Sequence, residues 1–314
     1  MSVLCNGHAT IRPVSPPWAW LLYQQLIPII TPVLVCALLG YGWARAGWPF
    51  DRDFVTRMIM NIGAPALVLN GIGGLEAETP QFLLCVGLAF VVLLFSGLIS
   101  FAVLRLTGQP VRDYLLPATY GNVGNLGLPL CYFAFGPEGL GLAVGFYLAG
   151  SLSHFIFGPL LLGRSAAWQT LFKTPIIYAA LAGLLMLNLD GATPLWFQNS
   201  VQLLAGMAIP LMLLALGHAL ATFGVQRVKA SMLIAVLRLA TGFAAGLALV
   251  TLLELEGALR GVVLIQASMP AAVFNFLMAA RYDRSPEVVA GAIVVSTLAA
   301  FLLMPVLVLF ALQG

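Results

Sequence analysis

The 314-residue chain is 61% hydrophobic and only 8% charged, whereas soluble domains average about 25% charged residues. This composition excludes an ordinary soluble domain and predicts an all-α polytopic membrane protein whose first partner is the lipid bilayer. The net charge of +3 gives no argument for nucleic-acid binding, and the four cysteines have no metal-ligand spacing. No metal site is therefore predicted.

About ten segments of the chain have the roughly 20 apolar residues that a helix needs to cross a bilayer. Residues 1–20 precede them as a polar, proline-rich N-terminal extension. The predicted spans are 22–44, 54–72, 80–104, 113–134, 139–162, 174–190, 199–220, 231–253, 260–280 and 287–312. The connections are short, so no soluble domain is predicted between them.

The loops alternate in charge along the chain. Arginine or lysine residues follow every odd-numbered span, whereas the other loops are acidic or neutral, with Arg260 as the exception. Cytoplasmic loops of membrane proteins carry an excess of basic residues. The alternation therefore predicts a multi-pass protein of the cell inner membrane with both termini outside the cytoplasm.

The two halves of the chain share features in the same order. Pro65 in the second span matches Pro210 in the seventh, and Pro159 in the fifth matches Pro305 in the tenth. Since five spans per half is an odd number, the second half must enter the membrane upside down, as in many secondary transporters. The predicted five-helix repeats are residues 21–163 and 164–314.

Two of the spans contain helix-breaking motifs. The fourth carries Gly121-Asn122-Val123-Gly124-Asn125-Leu126-Gly127-Leu128-Pro129, and the ninth carries Gln266-Ala267-Ser268-Met269-Pro270. Glycine and proline both interrupt helices, and bare backbone at bilayer depth must be buried in protein or line a cavity. Both breaks fall about 15 Å, half of a bilayer core, from the cytoplasmic face. The sequence thus predicts discontinuous fourth and ninth helices that meet at one depth.

Each break exposes one helix amino end and one helix carboxyl end. Amino ends carry partial positive charge and suit a carboxylate, whereas carboxyl ends suit a cation such as sodium. The candidate substrate-binding residues are Asn122, Gly124, Asn125, Gln266, Pro270, Asn275 and, in the second span, Asn70. An alternative is that the amide side chains only close the broken backbone.

Coupling to an ion is predicted to depend on few side chains, because all eleven acidic residues lie in loops or at span ends. The candidates are His154, near the middle of the fifth span, and Ser268 beside the ninth-span break. His154 could equally be a neutral residue that bonds neighbouring helices. Arg57 and Arg238 are predicted within two turns of the cytoplasmic face, either reaching into the interface or attracting an anion.

The motif at residues 121–129, together with Ala267-Ser268-Met269-Pro270-Ala271-Ala272, resembles the auxin efflux carrier family, including its bacterial members. Ser285-Pro286-Glu287, followed by Ser296-Thr297-Leu298 and Pro305, also resembles that family. The resemblance implies ten helices in two inverted repeats, with the fourth and ninth helices crossed as in bile acid and sodium/proton carriers. It also implies a scaffold made of the first, second, sixth and seventh spans.

The function that the resemblance implies is elevator-type export of a small organic anion. Bacterial members are associated with malonate, malate and similar carboxylates, and plant members move indole-3-acetate. The alternatives are an amino acid exporter and a sodium-coupled symporter of a bile-acid-like anion, and a channel or sensor stays open. No enzyme is predicted, and no cofactor beyond Na+ or H+ as a coupling ion. The sequence leaves a homodimer open.

Overall fold

The computed structural model of the chain describes residues 25–73, 79–162, 175–188 and 193–313. Within these ranges the backbone is helical with short connections, and no strand is formed beyond a single bridge between Gly121 and Ala271. The predicted extension, the basic residues of the loop after the fifth span, and the acidic residues Glu76, Glu78 and Asp190 lie outside the described residues.

The helices are numbered along the described part of the chain. They are α1 Ile27–Arg45, α2 Arg52–Met58, α3 Ala64–Gly73, α4 Thr79–Leu106, α5 Val111–Thr119, α6 Leu128–Leu162, α7 Pro175–Asn188, α8 Leu195–Thr222, α9 Val228–Leu252, α10 Gly257–Ala267, α11 Val273–Arg281 and α12 Pro286–Leu312. Two π-helical segments, Ile59–Gly63 and Val123–Gly127, lead directly into α3 and α6.

Seven segments of the described chain are long and apolar enough to cross a membrane, so the protein is a multi-pass membrane protein. They are Ile27–Arg45, Arg52–Gly73, Pro80–Leu106, Val123–Leu162, Leu195–Thr222, Val228–Leu252 and Pro286–Leu312. The number differs from the predicted ten for a structural reason. The predicted fourth and ninth spans are each divided into shorter helices, the end of the fourth continues into the fifth as α6, and α7 is short.

The helices pack in two groups. Helices α1, α3, α7 and α8 contact one another, helices α4, α5 and α9 to α12 form the second group, and α6 contacts both. In the first group the backbones of α1 and α8 touch at two glycines. A Cβ atom on Gly217 would overlap the carbonyl of Ala37, and one on Gly40 would overlap the carbonyl of Leu214. Small residues at such contacts let membrane helices approach closely.

Helix α6 contains a sharp kink at Gly136, at the predicted boundary between the fourth and fifth spans. Gly136 has φ 64° and ψ −152°, a combination that is essentially restricted to glycine. Pro137 follows it and cannot donate a backbone hydrogen bond to the preceding turn. The kink therefore separates the segment Leu128–Phe135 from the longer segment that ends at Leu162.

Replacing Gly136 with alanine is expected to destabilise the protein by about 1–3 kcal/mol, because alanine pays the backbone strain that glycine avoids. Thermal denaturation of the detergent-purified variant measures the loss. Gly87→Ala in α4 is the matched control, since a Cβ meets nothing within 4 Å at either position and Gly87 has no positive φ. Equal melting temperatures for the two variants would contradict this expectation.

Candidate functional site

The two interrupted helices meet at their breaks. Residues 120–122, after α5, run antiparallel to residues 270–272, before α11, and these six residues are named the crossover. The Asn122 N–H donates to the Pro270 carbonyl at 2.6 Å, and the Ala272 N–H donates to the Tyr120 carbonyl at 3.1 Å. The backbone groups that the breaks release are thus paired with each other, as the interior of a membrane protein requires.

Side chains from neighbouring turns hold the crossover in place. The Asn275 amide nitrogen donates to the Tyr120 carbonyl at 3.0 Å, and the Ala271 N–H donates to the Ser296 hydroxyl at 3.1 Å. Asn275 and Ser296 are both buried. The Asn275 amide nitrogen thus closes the broken backbone, as the alternative interpretation expects. The Asn275 side-chain oxygen has no partner among the residues that the structure describes.

A buried arginine lies against the crossover. The Nε of Arg238 donates to the Met269 carbonyl at 3.0 Å, its Nη1 donates to the Thr119 carbonyl at 2.6 Å, and its Nη2 donates to the Ala267 carbonyl. Thr119 and Ala267 are the last residues of α5 and α10. A single guanidinium group, only 2% exposed, therefore caps the carboxyl ends of both interrupted helices.

The depth predicted for Arg238, within two turns of the cytoplasmic face, stays a prediction, but the structure shows that its side chain is buried among helices. Helix α9 begins at Val228 rather than at residue 231, so Arg238 lies ten residues, or about 15 Å, along the helix. The carbonyl groups of two helix ends compensate the cost of burying its charge there. Arg57, by contrast, is exposed in the last turn of α2.

A cavity of about 140 Å³ lies beside the crossover, between the two groups of helices. Both helix amino ends line it: Val123, Gly124 and Asn125 from one, and Val273 and Phe274 from the other. The first N–H groups of a helix have no partner within the helix. The cavity therefore receives free N–H groups and partial positive charge from two directions.

The side-chain nitrogen of Asn122 is an unpaired donor at this cavity. Asn122 is 4% exposed and lines the cavity, and its Nδ2 has no hydrogen-bond partner among the described residues. A buried donor without a partner costs about 1–3 kcal/mol. A ligand oxygen at this position would remove that cost.

His154 lies in the cavity wall within an aromatic cluster. Its ring stacks on Tyr120 with centroids 4.3 Å apart and meets the edge of Phe274 at 5.2 Å. The histidine is 6% exposed, and its Nε2 has no hydrogen-bond partner within the described residues. The structure thus places this coupling candidate at the cavity, where it packs against neighbouring helices and also keeps one ring nitrogen available.

The structure brings some of the candidate residues together and separates others. Asn122, Gly124, Asn125 and His154 line the cavity beside the crossover. Pro270 and Asn275 belong to the crossover and its supports, and do not line the cavity. Gln266, predicted as a ligand, is fully buried against Gly127 and donates to the Ala143 carbonyl at 3.5 Å.

Two candidates lie at other cavities. The Ser268 hydroxyl donates to the Leu264 carbonyl at 2.6 Å, and Ser268 lines an apolar cavity of about 340 Å³ between α9 and α12. Asn70 lies near the end of α3 in a cavity of about 420 Å³, together with Tyr132 and Gln198. A motif shows which residues interrupt a helix, whereas the rotation of each helix decides which cavity a side chain enters.

Sequence reasoning also missed residues that line the cavity. Tyr120, Tyr147 and Ser151 contribute hydroxyl groups, and Phe146 and Phe155 contribute apolar surface. The sequence held one usable signal, because an ionisable residue inside a membrane span is a functional candidate by default. Arg238 satisfies that rule, since it lies within the predicted span 231–253.

An all-helical, multi-pass membrane protein with a small cavity at two interrupted helices has the architecture of a membrane transporter. The comparisons with known proteins agree. A family model described as "Membrane transport protein" matches residues 159–308, a range that includes α10, α11 and the second half of the crossover. This match confirms the resemblance to the auxin efflux carrier-like membrane transport family.

Two curated proteins are similar to nearly the whole chain. An uncharacterized transporter of Methanocaldococcus jannaschii is 21% identical over 287 residues, which cover 86% of this chain and 93% of that protein. An uncharacterized transporter of Methanothermobacter thermautotrophicus is 27% identical over 300 residues, which cover 91% of this chain and 98% of that protein. These relatives point to a membrane transporter, a class of protein that is generally not an enzyme.

Proposed function

We propose that the protein is a secondary carrier that exports a small organic anion, such as a mono- or dicarboxylate, by elevator-type alternating access. One observation carries the proposal: two helix amino ends and the unpaired amide nitrogen of Asn122 converge on one small cavity. Each amino end is equivalent to about half a positive charge. Together they match a single carboxylate group.

The charges around the cavity favour an anion. The two helix amino ends give it partial positive charge, and none of the described lining residues is an aspartate or a glutamate. An amino acid would leave its ammonium group without an acidic partner there, which argues against the amino acid exporter. Aromatic residues such as Phe146 and Phe274 would contact the carbon skeleton of the anion.

The size of the cavity favours a compact substrate. A cavity of about 150 Å³ holds benzene, whereas drug-sized ligands occupy about 300–1,000 Å³. The cavity of about 140 Å³ suits a short carboxylate much better than a bile acid. This argues against the bile-acid-like symporter.

The proposed topology is two inverted repeats of five helices, with both termini outside the cytoplasm of the cell inner membrane. In this arrangement α5 with the start of α6 is the counterpart of α10 with α11, which explains why both helices break at the crossover. The cavity lies between the two groups of helices. Movement of the second group against the first would then expose the cavity to opposite sides in turn.

The proposal predicts that a small carboxylate raises the melting temperature of the purified protein in detergent. A panel of malonate, malate, indole-3-acetate, a bile acid and amino acids, each with sodium, with potassium and at several pH values, identifies the ligand and any coupling ion. Asn122→Ala and Asn125→Ala are each expected to weaken the binding about tenfold or more, because each variant removes a hydrogen bond to a charged group.

Asn61→Ala is the control for these variants. Asn61 is exposed and its amide nitrogen donates to the Arg57 carbonyl, outside the cavity. This variant is expected to bind the carboxylate as the natural protein does. If no carboxylate binds, the substrate class is wrong; if all three variants bind equally, the site is wrong.

A further inference from the structure

We propose that Arg238 is a tethered cation that takes the place of a coupling sodium ion between the two helix carboxyl ends. The inference deepens the proposed function and rests on it, because it assigns a role within the same crossover. Two helix carboxyl ends meet there, and carbonyl groups at such ends are the ligands that many carriers offer to sodium. In this protein an arginine side chain already binds them.

The charges balance without a metal ion. Each helix carboxyl end is equivalent to about half a negative charge, so the ends of α5 and α10 sum to about one. The guanidinium group of Arg238 supplies one positive charge, and arginine stays charged under all ordinary conditions. The carboxyl ends are therefore neutralised, whereas the amino ends on the cavity side keep their positive charge for an anion.

The surrounding backbone is shaped to hold this side chain. A Cβ atom on Gly242 would lie 2.6 Å from Nη2 of Arg238. A Cβ atom on Gly121 would lie 3.1 Å from Nη2 and 3.2 Å from Nε. Two glycines, one in α9 and one in the crossover, thus leave the room that the guanidinium group occupies. Both glycines therefore belong to the site that holds the guanidinium group of Arg238.

The cation also stays with the crossover. Arg238 belongs to α9, which packs against α4, α5, α10 and α12 within the same group of helices. Because the charge is covalently attached, it does not need to bind before transport or dissociate afterwards. Binding of an anion at the amino ends is accordingly expected to need no sodium ion.

The experiment compares thermal stability in sodium, potassium and choline chloride at equal ionic strength, without a carboxylate. The natural protein is expected to melt at the same temperature in all three salts. Arg238→Ala is expected to melt about 10 °C lower, because it leaves the buried carbonyl groups unpaired. Sodium, or guanidinium at non-denaturing concentrations, is expected to restore at least half of that loss.

Arg57→Ala is the matched control, since it removes an exposed arginine, and no cation is expected to change its stability specifically. A second variant, Arg238→Lys, keeps the positive charge with fewer hydrogen-bond donors. It is expected to fold and to have the same melting temperature in sodium chloride as in the other two salts. If Arg238→Ala yields no folded protein, Arg238→Lys is the variant that tests the proposal. A melting temperature of Arg238→Lys that rises specifically in sodium would then overturn the proposal.

Three further results would overturn the proposal. The first is saturable, sodium-specific stabilisation of the natural protein. The second is an Arg238→Ala variant that is as stable as the natural protein, and the third is a loss of stability that neither guanidinium nor sodium reverses. These stability measurements are made without a carboxylate, so they still test the role of Arg238 if no member of the substrate panel binds. Conversely, a carboxylate that binds only with sodium would overturn the role of Arg238 and leave the proposed transport standing.

Discussion

Replacing Asn122 with aspartate is expected to abolish carboxylate binding and transport while the protein stays folded. The two side chains have the same shape, but aspartate replaces an unpaired donor with a negatively charged oxygen. Two like charges about 4 Å apart repel each other by about 4 kcal/mol at the effective dielectric constant near a protein surface. This corresponds to a loss of nearly a thousandfold in affinity.

The stability of this variant is expected to change far less than its affinity for the carboxylate. Asn122 precedes the π-helical segment Val123–Gly127, and its side chain forms no capping hydrogen bond there. An aspartate at a helix amino end is favourable by about 0.3–1 kcal/mol, and the free N–H groups there offset the cost of burying its charge, so the melting temperature is expected to stay close to that of the natural protein. In effect, the variant carries its own anion in the site.

Uptake of the carboxylate into proteoliposomes and its thermal shift in detergent measure the two effects. Asn61→Asp is the control, because it introduces the same charge on an exposed part of the protein. Transport at the natural rate by Asn122→Asp would mean that the anion binds away from the crossover. A variant that fails to fold would contradict the expected stabilisation of the helix amino end.

The second large effect is expected in the packing of α1 against α8. Gly217→Ala places a methyl group where it overlaps the backbone carbonyl of Ala37. Backbone cannot rotate away as a side chain can, so the two helices must separate, at a cost of about 3 kcal/mol or more. We therefore expect little folded protein after purification.

Gly206→Ala tests the same substitution on the same helix. A Cβ atom on Gly206 meets nothing within 4 Å, and alanine favours a helix over glycine by about 1 kcal/mol. The two variants are thus expected to change stability in opposite directions. Size-exclusion profiles and melting temperatures in detergent compare them, and a Gly217→Ala protein as stable as Gly206→Ala would mean that α1 and α8 are not in contact.

Much of the helical structure could be predicted from composition and motif. The apolar spans and the breaks at Asn122 and Pro270 follow from local rules, because glycine and proline act on their own turn of the chain. The halves of the crossover, by contrast, are separated by about 150 residues. No local pattern indicates that Asn122 would donate to the carbonyl of Pro270.

The candidate site was predicted less completely. Asn122 and Asn125 belong to the motif that creates a helix amino end, so their position at the cavity follows from their position in the chain. Gln266 was predicted because it directly precedes a break, and Asn70 because it is a polar residue within the second span, and both face other surroundings. The role of Arg238 depends on three carbonyl groups from two distant segments, which the sequence alone does not specify.

The two breaks are joined by hydrogen bonds between main-chain groups, and this has a consequence for how such transporters diversify. Every residue type has the same carbonyl, and every residue except proline has the same N–H group. The two hydrogen bonds that the backbone groups of Tyr120 and Asn122 form across the crossover therefore depend little on which side chains are present. A chain that differs at most of its positions can therefore still form this joint, while the side chains that line the cavity beside it are free to change. The chemistry of the cavity could then change by point substitutions, without a new architecture.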